Sequence, residues 1–269
     1  SGLAIILGPK AMKIAIEKAK KVGIGVVTMR NAGHSGAIGH HALIAAKEDM
    51  LGMCMTTGGL RVVPTFSAEP LLGTNPIAVA APTNNRPTFL FDAATCSVAG
   101  NKVRLAQRSG KKLMPGWVAD ENGTPLMEEY KVEDHNDIPP LLPLGGTREI
   151  GSHKGYGLSL VAEIMCSLMS GGIPSMLEGH EATNKHFFAA YNIAAFTDLD
   201  EFKKNMDDML GKLVHSKPAP GFKQVLYPGL PESEDEKDRL RNGIPLHKEV
   251  VEFIQETASR LEIRRLDLN

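Results

Sequence analysis

The stretch GPKAMKIAIEKAKKVGIGVVTMRNAGHSGAIGHHALIAA, residues 8–46, sets the fold class of this chain. Met12, Ala15, Ile16, Ala19 and Val22 recur at the spacing of one helical face. With Pro9 near the first turn and Gly23 just past the last residue, they predict a helix over 9–22. IGVVTM at 24–29 reads as a buried strand, RNAGHSG at 30–36 as a loop, and 38–48 as a second helix. A further strand is expected at 51–57. Helix and strand alternate, which is the signature of an α/β protein.

Beyond this block the rhythm changes. Two β-rich segments, 77–81 and 88–93, are separated by Thr83-Asn84-Asn85-Arg86-Pro87, whose turn chemistry predicts an antiparallel return rather than a crossover. Residues 113–146 are rich in Pro and Gly and read as extended loops wrapped over a core. Helical periodicity resumes at 155–170, where Leu158, Leu160, Val161, Ile164, Met165 and Leu168 leave little polar surface. That helix is expected to be central. A strand at 188–197, an amphipathic helix at 198–215 and a short strand at 224–227 follow. Charged helices at 232–242 and 247–263 close the chain. The run ESEDEKDRLR, 232–241, reads as a solvated helix face. The expected organisation is a cofactor-binding and catalytic sheet domain over 1–231 and a C-terminal helical segment over 232–269.

Composition excludes several function classes. Thirty Lys plus Arg against thirty-one Asp plus Glu give a net charge of −1, so no global field draws nucleic acid or an anionic membrane. The longest apolar runs, such as 77–82 and 188–196, are too short to span a bilayer, and no signal-like segment opens the chain. Neither nucleic acid nor membrane is an expected partner. Cys54, Cys96 and Cys166 lie far apart within apolar stretches, which suits buried reduced thiols and a cytoplasmic location.

The sequence has no G-x-G-x-x-G after a strand, no G-x-x-x-x-G-K-[ST] and no G-x-S-x-G, which disfavours Rossmann, P-loop and α/β-hydrolase readings. It also lacks C-x-x-C and H-E-x-x-H, and His180 and His186 stand six apart, off a shared helix face. No metal site is expected.

Three features can carry chemistry. His34 lies in a glycine-flanked loop between strand and helix, where an imidazole can exchange a proton near neutral pH. His40 and His41 fall on adjacent helix faces and read as structural. Asp92 ends FLFDAA, where a carboxylate either accepts from ribose hydroxyls or caps the next turn. HKGYGL, 153–158, sets Lys154 and two glycines directly before an apolar helix. That arrangement suits either a pyrophosphate or a tight turn allowing close packing.

Taken in order, six blocks resemble the malate/L-lactate dehydrogenase family: residues 8–46; EPLLGTNPIAVAAP, 69–82; FDAATCSVAGNKVRLA, 91–106; PGWVADENGTP, 115–125; LLPLGG, 141–146; and GSHKGYGLSLVAEI, 151–164. The resemblance implies a mixed, largely antiparallel sheet flanked by helices, not a Rossmann fold, in a homodimer with sites near the subunit interface. It implies NAD or NADP as cofactor and a small 2-oxo or 2-hydroxy acid, of malate or lactate type, as substrate. Carried over by motif, His34 resembles the acid/base histidine. Asp92, Ala93 and Ala94 resemble the cofactor-contacting D-x-A segment, Lys154 resembles the lysine of HKGYG, and Thr57 falls where a cofactor-contacting hydroxyl is common. Gly73, Thr74 and Asn75 are expected to shape the cleft.

There are two departures. Family members carry a segment before the block matching Gly8, including an arginine that holds the substrate carboxylate, and Leu230 stands where an acidic residue often follows Pro-Gly. The first motivates an alternative reading, a catalytically impaired fragment or paralogue that keeps cofactor binding or dimerisation. A cyclic imino acid reductase is a further alternative within the same family.

Overall fold

The computed structural model describes residues 2–132, 138–179 and 182–265. It divides into two compact units, Ser1–Gly229 and Leu230–Asn269. The first is built on five strands: β1 Ile24–Ala32, β2 Met50–Thr57, β3 Ile77–Ala81, β4 Phe89–Ala93 and β5 Asn184–Asn192. Their order is β1-β5-β2-β3-β4, and every neighbouring pair is antiparallel. Parallel pairing among the described residues is confined to isolated bridges, Gly2 with Ala32 and Val62 with Leu141. This is the helix-flanked, largely antiparallel α/β architecture expected. The hairpin return between β3 and β4 is as read.

One face of the sheet carries α1, Ala4–Val22, and α2, Gly39–Ala46. Met12, Ala15, Ile16, Ala42 and Ala45 pack there on Cys54, Ala78, Ala80, Phe188 and Ala190. Small residues let the helix backbones settle onto the strands. A Cβ on Gly25 would stand 1.8 Å from the Ala15 carbonyl oxygen, and one on Gly52 2.2 Å from that of Ala42. Dispersion between closely fitted atoms thus replaces the bulk of larger side chains.

The opposite face carries α4, Ser152–Cys166, whose Met165 and Cys166 join Met55, Phe187 and Ala189. A second apolar cluster lies among the Pro- and Gly-rich segments, where Val103 meets Val62, Leu72, Leu113, Val118 and Leu141. Its helix α3, Gly100–Arg108, and the short α5, Ser175–Glu178, are unanticipated. The described residues among 113–146 therefore share a core of their own rather than only wrapping another. All three cysteines are free and buried, as read.

Other expectations need correction. Pro9 lies inside α1, because the helix begins at Ala4, and its missing N–H costs the Ile5 carbonyl its usual helical donor. α4 begins at Ser152, because Gly151 at φ +112 breaks the chain direction just before it, so HKGYG lies within the helix. Nor is α4 central. Leu158, Val161, Ile164 and Leu168 are all exposed, since one side of the helix lies on the sheet and the described residues leave the other open. β5 starts at Asn184 and gives way to a 3-10 turn, Ile193–Ala195. Residues 224–227 lie outside every strand among the described residues. Instead Tyr227 is buried with its hydroxyl donating to the Pro87 carbonyl. α6, Leu199–Val214, is capped by the Asp198 side chain as its sequence suggests.

The second unit holds α7, Leu230–Asn242, and α8, Lys248–Arg260. Among the described residues no helix is long and apolar enough to cross a membrane.

Candidate functional site

The strand register decides which loops meet. Ala32 lies opposite Asn184, Thr57 opposite Lys185, Met55 opposite Ile77, and Ile77 opposite Ala93. The carboxyl ends of β1, β2 and β4 and the amino ends of β3 and β5 therefore share one end of the sheet. His34 follows β1, Thr57 ends β2, Asn75 precedes β3, and Ala93 and Ala94 close β4. The candidate residues come from four separate segments to a single edge.

At that edge the His34 ring is exposed, and its Nδ1 accepts the Gly36 N–H at 3.0 Å. Gly36 has φ +68, which a residue without Cβ adopts freely. With Nδ1 engaged inside the loop, Nε2 is the nitrogen presented outward. Asp92 Oδ2 accepts the Gly39 N–H at 2.7 Å, at the first residue of α2 rather than in the turn that follows Asp92. Because β1 and β4 are the two edge strands, the loop over 33–38 crosses the whole end of the sheet and is anchored on both sides.

Beneath this loop lies a buried polar cluster. His41 is fully buried, with Nε2 within 3.2 Å of the Ser35 carbonyl. His186 is also fully buried and lies directly opposite Thr56 on β2 and Met29 on β1. Both nitrogens of His186, Nδ1 of His41 and the hydroxyls of Ser35 and Thr56 have no hydrogen-bond partner among the described residues. Burial pushes His186 down to about 4; the Gly33 backbone opposes this without completing a hydrogen bond, and His41 and His34 add to it. Burial likewise lowers His41, opposed by the Ser35 backbone. Sequence reasoning treated His41 as structural and weighed His186 only for metal spacing. The available signal was the alternation His186, Phe188, Ala190, which puts an imidazole on the inward face of a strand.

On the α4 side the polar side chains are linked to one another, although Asn75 Oδ1 and the Ser175 hydroxyl have no hydrogen-bond partner among the described residues. Ser167 donates its hydroxyl hydrogen to Glu163 Oε2 at 2.8 Å, so in the 3.2 Å contact between Thr57 and Ser167 the donor is Thr57. Asn75 Nδ2 reaches Glu163 Oε1 at 3.3 Å and Ser159 Oγ at 3.0 Å. The G-T-N-P turn, expected to shape the cleft, is thus tied to α4 through a carboxylate that is 2% exposed. Thr57 is itself buried, with its hydrogen committed inward.

Lys154 stands exposed in the first turn of α4. The N–H groups of Ser152 and Lys154 already donate to the Thr147 and Gly151 carbonyls. The group this turn offers an anion is therefore the Lys154 ammonium rather than those amides. Gly155 takes the close-packing role, since a Cβ there would lie 2.4 Å from the Leu144 carbonyl oxygen. Leu144 N–H in turn donates to Thr95, which joins the segment after Ala94 to the start of α4. Beside that start lies a cavity of about 420 Å³ lined in part by Thr65, Phe66, Asn122, Thr147, Arg148 and Ser152. His180, weighed as a metal ligand, lies outside the described residues. Among the described residues no three His, Cys, Asp or Glu side chains cluster as a metal site would require.

The malate/L-lactate dehydrogenase family model matches residues 1–255. The chain belongs to this family. It is similar to the malate dehydrogenase of Pyrococcus abyssi, 41% identical over 99% of this chain and 74% of that protein. The L-sulfolactate dehydrogenase of Methanocaldococcus jannaschii is 34% identical over 97% of this chain and 73% of its own length. Among solved structures, malate dehydrogenase from Pyrococcus horikoshii superposes with a TM-score of 0.86 at 37% identity, covering 98% of this chain and 73% of that one. The family member described here is accordingly an oxidoreductase of malate/lactate type, moving hydride between a nicotinamide and a small 2-hydroxy acid.

The residues at the sheet end fit such a cofactor. An exposed cation, Lys154, and a cavity large enough for a planar ring lie at the start of α4, the outward-facing imidazole of His34 follows β1, and buried polar atoms of His186, His41, Ser35 and Thr56 lie beneath its loop.

Proposed function

We propose that this chain interconverts malate and oxaloacetate, with His34 as the group that exchanges the proton. The observation that carries the assignment is the His34 ring itself. It is exposed, pinned at Nδ1 by Gly36 N–H, and held on a loop anchored at both edges of the sheet. In the reduction direction the imidazolium gives its Nε2 proton to the carbonyl oxygen, and in oxidation the neutral ring removes it from the hydroxyl at Nε2; both steps keep a proton on Nδ1, so the Gly36 N–H contact belongs to the resting Nε2–H tautomer and is released before the proton moves. The nicotinamide supplies the hydride when bound. Asp92 fixes the loop that positions His34, in addition to any contact with ribose. Lys154 neutralises the cofactor phosphates, and Ala93 and Ala94, lacking bulk, let its backbone approach the end of β4. Thr57, buried with its hydrogen engaged by Ser167, braces β2 against α4 beneath the site rather than meeting the cofactor directly. NAD and NADP both satisfy these contacts. The choice of malate rests on relatives of that name at 40–41% identity.

The protein works as a homodimer in this reading, with the exposed Leu158, Val161 and Ile164 of α4 and Leu168 just beyond it covered by a second copy, because an apolar stripe on the open side of a helix gains from burial. The proton assignment is tested with His34→Ala. Steady-state oxaloacetate reduction should fall about 10²–10⁴-fold, while NADH fluorescence titration gives an unchanged Kd. Wild-type turnover in the variant would refute it.

A further inference from the structure

A second imidazole, which the proton exchange does not use, lies directly behind the His34 loop. His41 belongs to α2 and is fully buried. α1 makes room for its ring with a glycine, because a Cβ on Gly8 would stand 2.7 Å from both Cε1 and Nε2 of the imidazole. Phe188 of β5 meets the ring edge to face, with centroids 5.9 Å apart. Glycine, helix and strand together form a socket shaped for a flat ring.

For folding alone this socket suits a polar side chain badly. A carbonyl only accepts, so in the 3.2 Å contact with the Ser35 carbonyl Nε2 carries the hydrogen, and burial keeps the ring neutral. Nδ1 is left as a buried lone pair with no partner among the described residues. One hydrogen bond set against one unmet acceptor makes the imidazole no better for stability than an aliphatic side chain of similar volume. What only the imidazole supplies is a fixed donor to Ser35.

Ser35 follows His34 directly and is 2% exposed. The loop is tied at its ends, where Gly33 N–H donates to the Gly2 carbonyl at 3.0 Å and Gly39 N–H to Asp92. Between those ties the chain turns through Gly36 at φ +68, a residue that restrains the bend little. The Gly36 contact with the His34 ring is released before the proton moves, so it does not hold that ring during turnover. The Ser35 carbonyl, by contrast, is held from outside the loop by a ring seated between α1 and β5.

We propose that His41 is a positioning residue for the proton exchange: by donating to the Ser35 carbonyl it fixes the bend on which the His34 ring is displayed. The inference rests on the assignment of His34 above.

The test uses His41→Leu, His41→Asn and His41→Gln, each alone and combined with His34→Ala. Glutamine keeps an N–H donor near the place of Nε2, asparagine carries its amide one methylene short, and leucine has no donor. All three lose the ring, so a defect common to them belongs to the socket and not to the donor. Steady-state oxaloacetate reduction gives kcat, NADH fluorescence titration gives Kd, and thermal unfolding reports the fold. The Leu and Asn variants should lose kcat about 10–100-fold with the NADH Kd unchanged, and Gln should recover most of that rate. In the His34→Ala background the same substitutions should change the residual rate by less than about twofold, because residues that act through one group are not additive. The proposal is overturned if the Leu and Asn variants turn over as wild type, if Gln falls as far as they do, if either slows His34→Ala as much as it slows wild type, or if neither folds, which would make His41 a pin of the core. With His34→Ala slow and His41→Leu at the wild-type rate, this inference fails alone. A wild-type protein that does not reduce oxaloacetate, or a His34→Ala variant at the wild-type rate, rejects the proton reading and this inference with it.

Discussion

The two faces of the sheet end treat buried polar groups differently. On the α4 face, Thr57, Ser167, Glu163, Asn75 and Ser159 are linked side chain to side chain. On the α1 and α2 face, beginning one residue away at Thr56, Ser35, His41, Thr56 and His186 leave five buried polar atoms unpartnered among the described residues. Both sets are equally dry. The contrast is one of degree: side-chain hydrogen bonds through Glu163 fix where β2, α4 and the G-T-N-P turn stand, with Asn75 Oδ1 and the Ser175 hydroxyl left over, whereas under the His34 loop none of these four side chains bonds another.

The largest effect should come from opening the linked side. Glu163→Ala removes the acceptor of the Ser167 hydroxyl and the Ser175 N–H, and two orphaned donors at about 1–3 kcal/mol each destabilise the fold by about 2–6 kcal/mol. Chemical denaturation of wild type and variant measures this, and a loss below half a kcal/mol would erase the distinction between the faces.

The next effect belongs to the unlinked side and depends on pH. With His186 at about 4 when folded and near 6.5 when unfolded, the unfolded chain binds a proton in that window that the native ring refuses. Stability is therefore intact above the unfolded value and falls as pH drops from 6.5 toward 4, by roughly 3 kcal/mol in all. His186→Gln should flatten that slope; denaturation midpoints collected across pH 4–7 show whether it does.

The smallest effect is the sharpest comparison, because it uses neighbours. Thr57→Val deletes a donor to Ser167 and should cost about 1 kcal/mol, while Thr56→Val deletes an already unpartnered hydroxyl and should be neutral or slightly stabilising. Equal changes in the two variants, measured by thermal unfolding, would mean that the faces do not differ.

Much of this geometry could be read from the chain. The alternation of β1, loop and α2 followed from periodicity and glycine placement, and the β3–β4 return followed from the turn residues between them. What escaped was set by distant partners. Insertion of β5 between β1 and β2 leaves no local trace, because strand order depends on which edges meet in space. α4 shows apolar residues on both sides, and nothing in its own sequence says that one side stays open within the chain. α3 is short, begins at a glycine and carries little apolar repeat, so periodicity passes over it. For the site, His34 was legible as an imidazole bracketed by glycines. His186 was not, since a histidine in a buried strand reads as packing until its unmet nitrogens are seen beside the loop. Asp92 was legible as an acid at a strand end, but the choice of Gly39 as its partner required the sheet edge and helix to be placed together.

The position of β5 also constrains how the chain can assemble. β1 and β2 emerge first and never pair with each other; the strand that joins them is 184–192, more than 120 residues after β2 ends. Until then each presents a row of unsatisfied peptide groups, and the helices over them have an incomplete floor. Long-range closure of this kind slows folding and leaves sticky edges on the ribosome. Newly made chains should thus depend on chaperones until β5 is released, and chains cut short before residue 184 should aggregate rather than persist as smaller folded units.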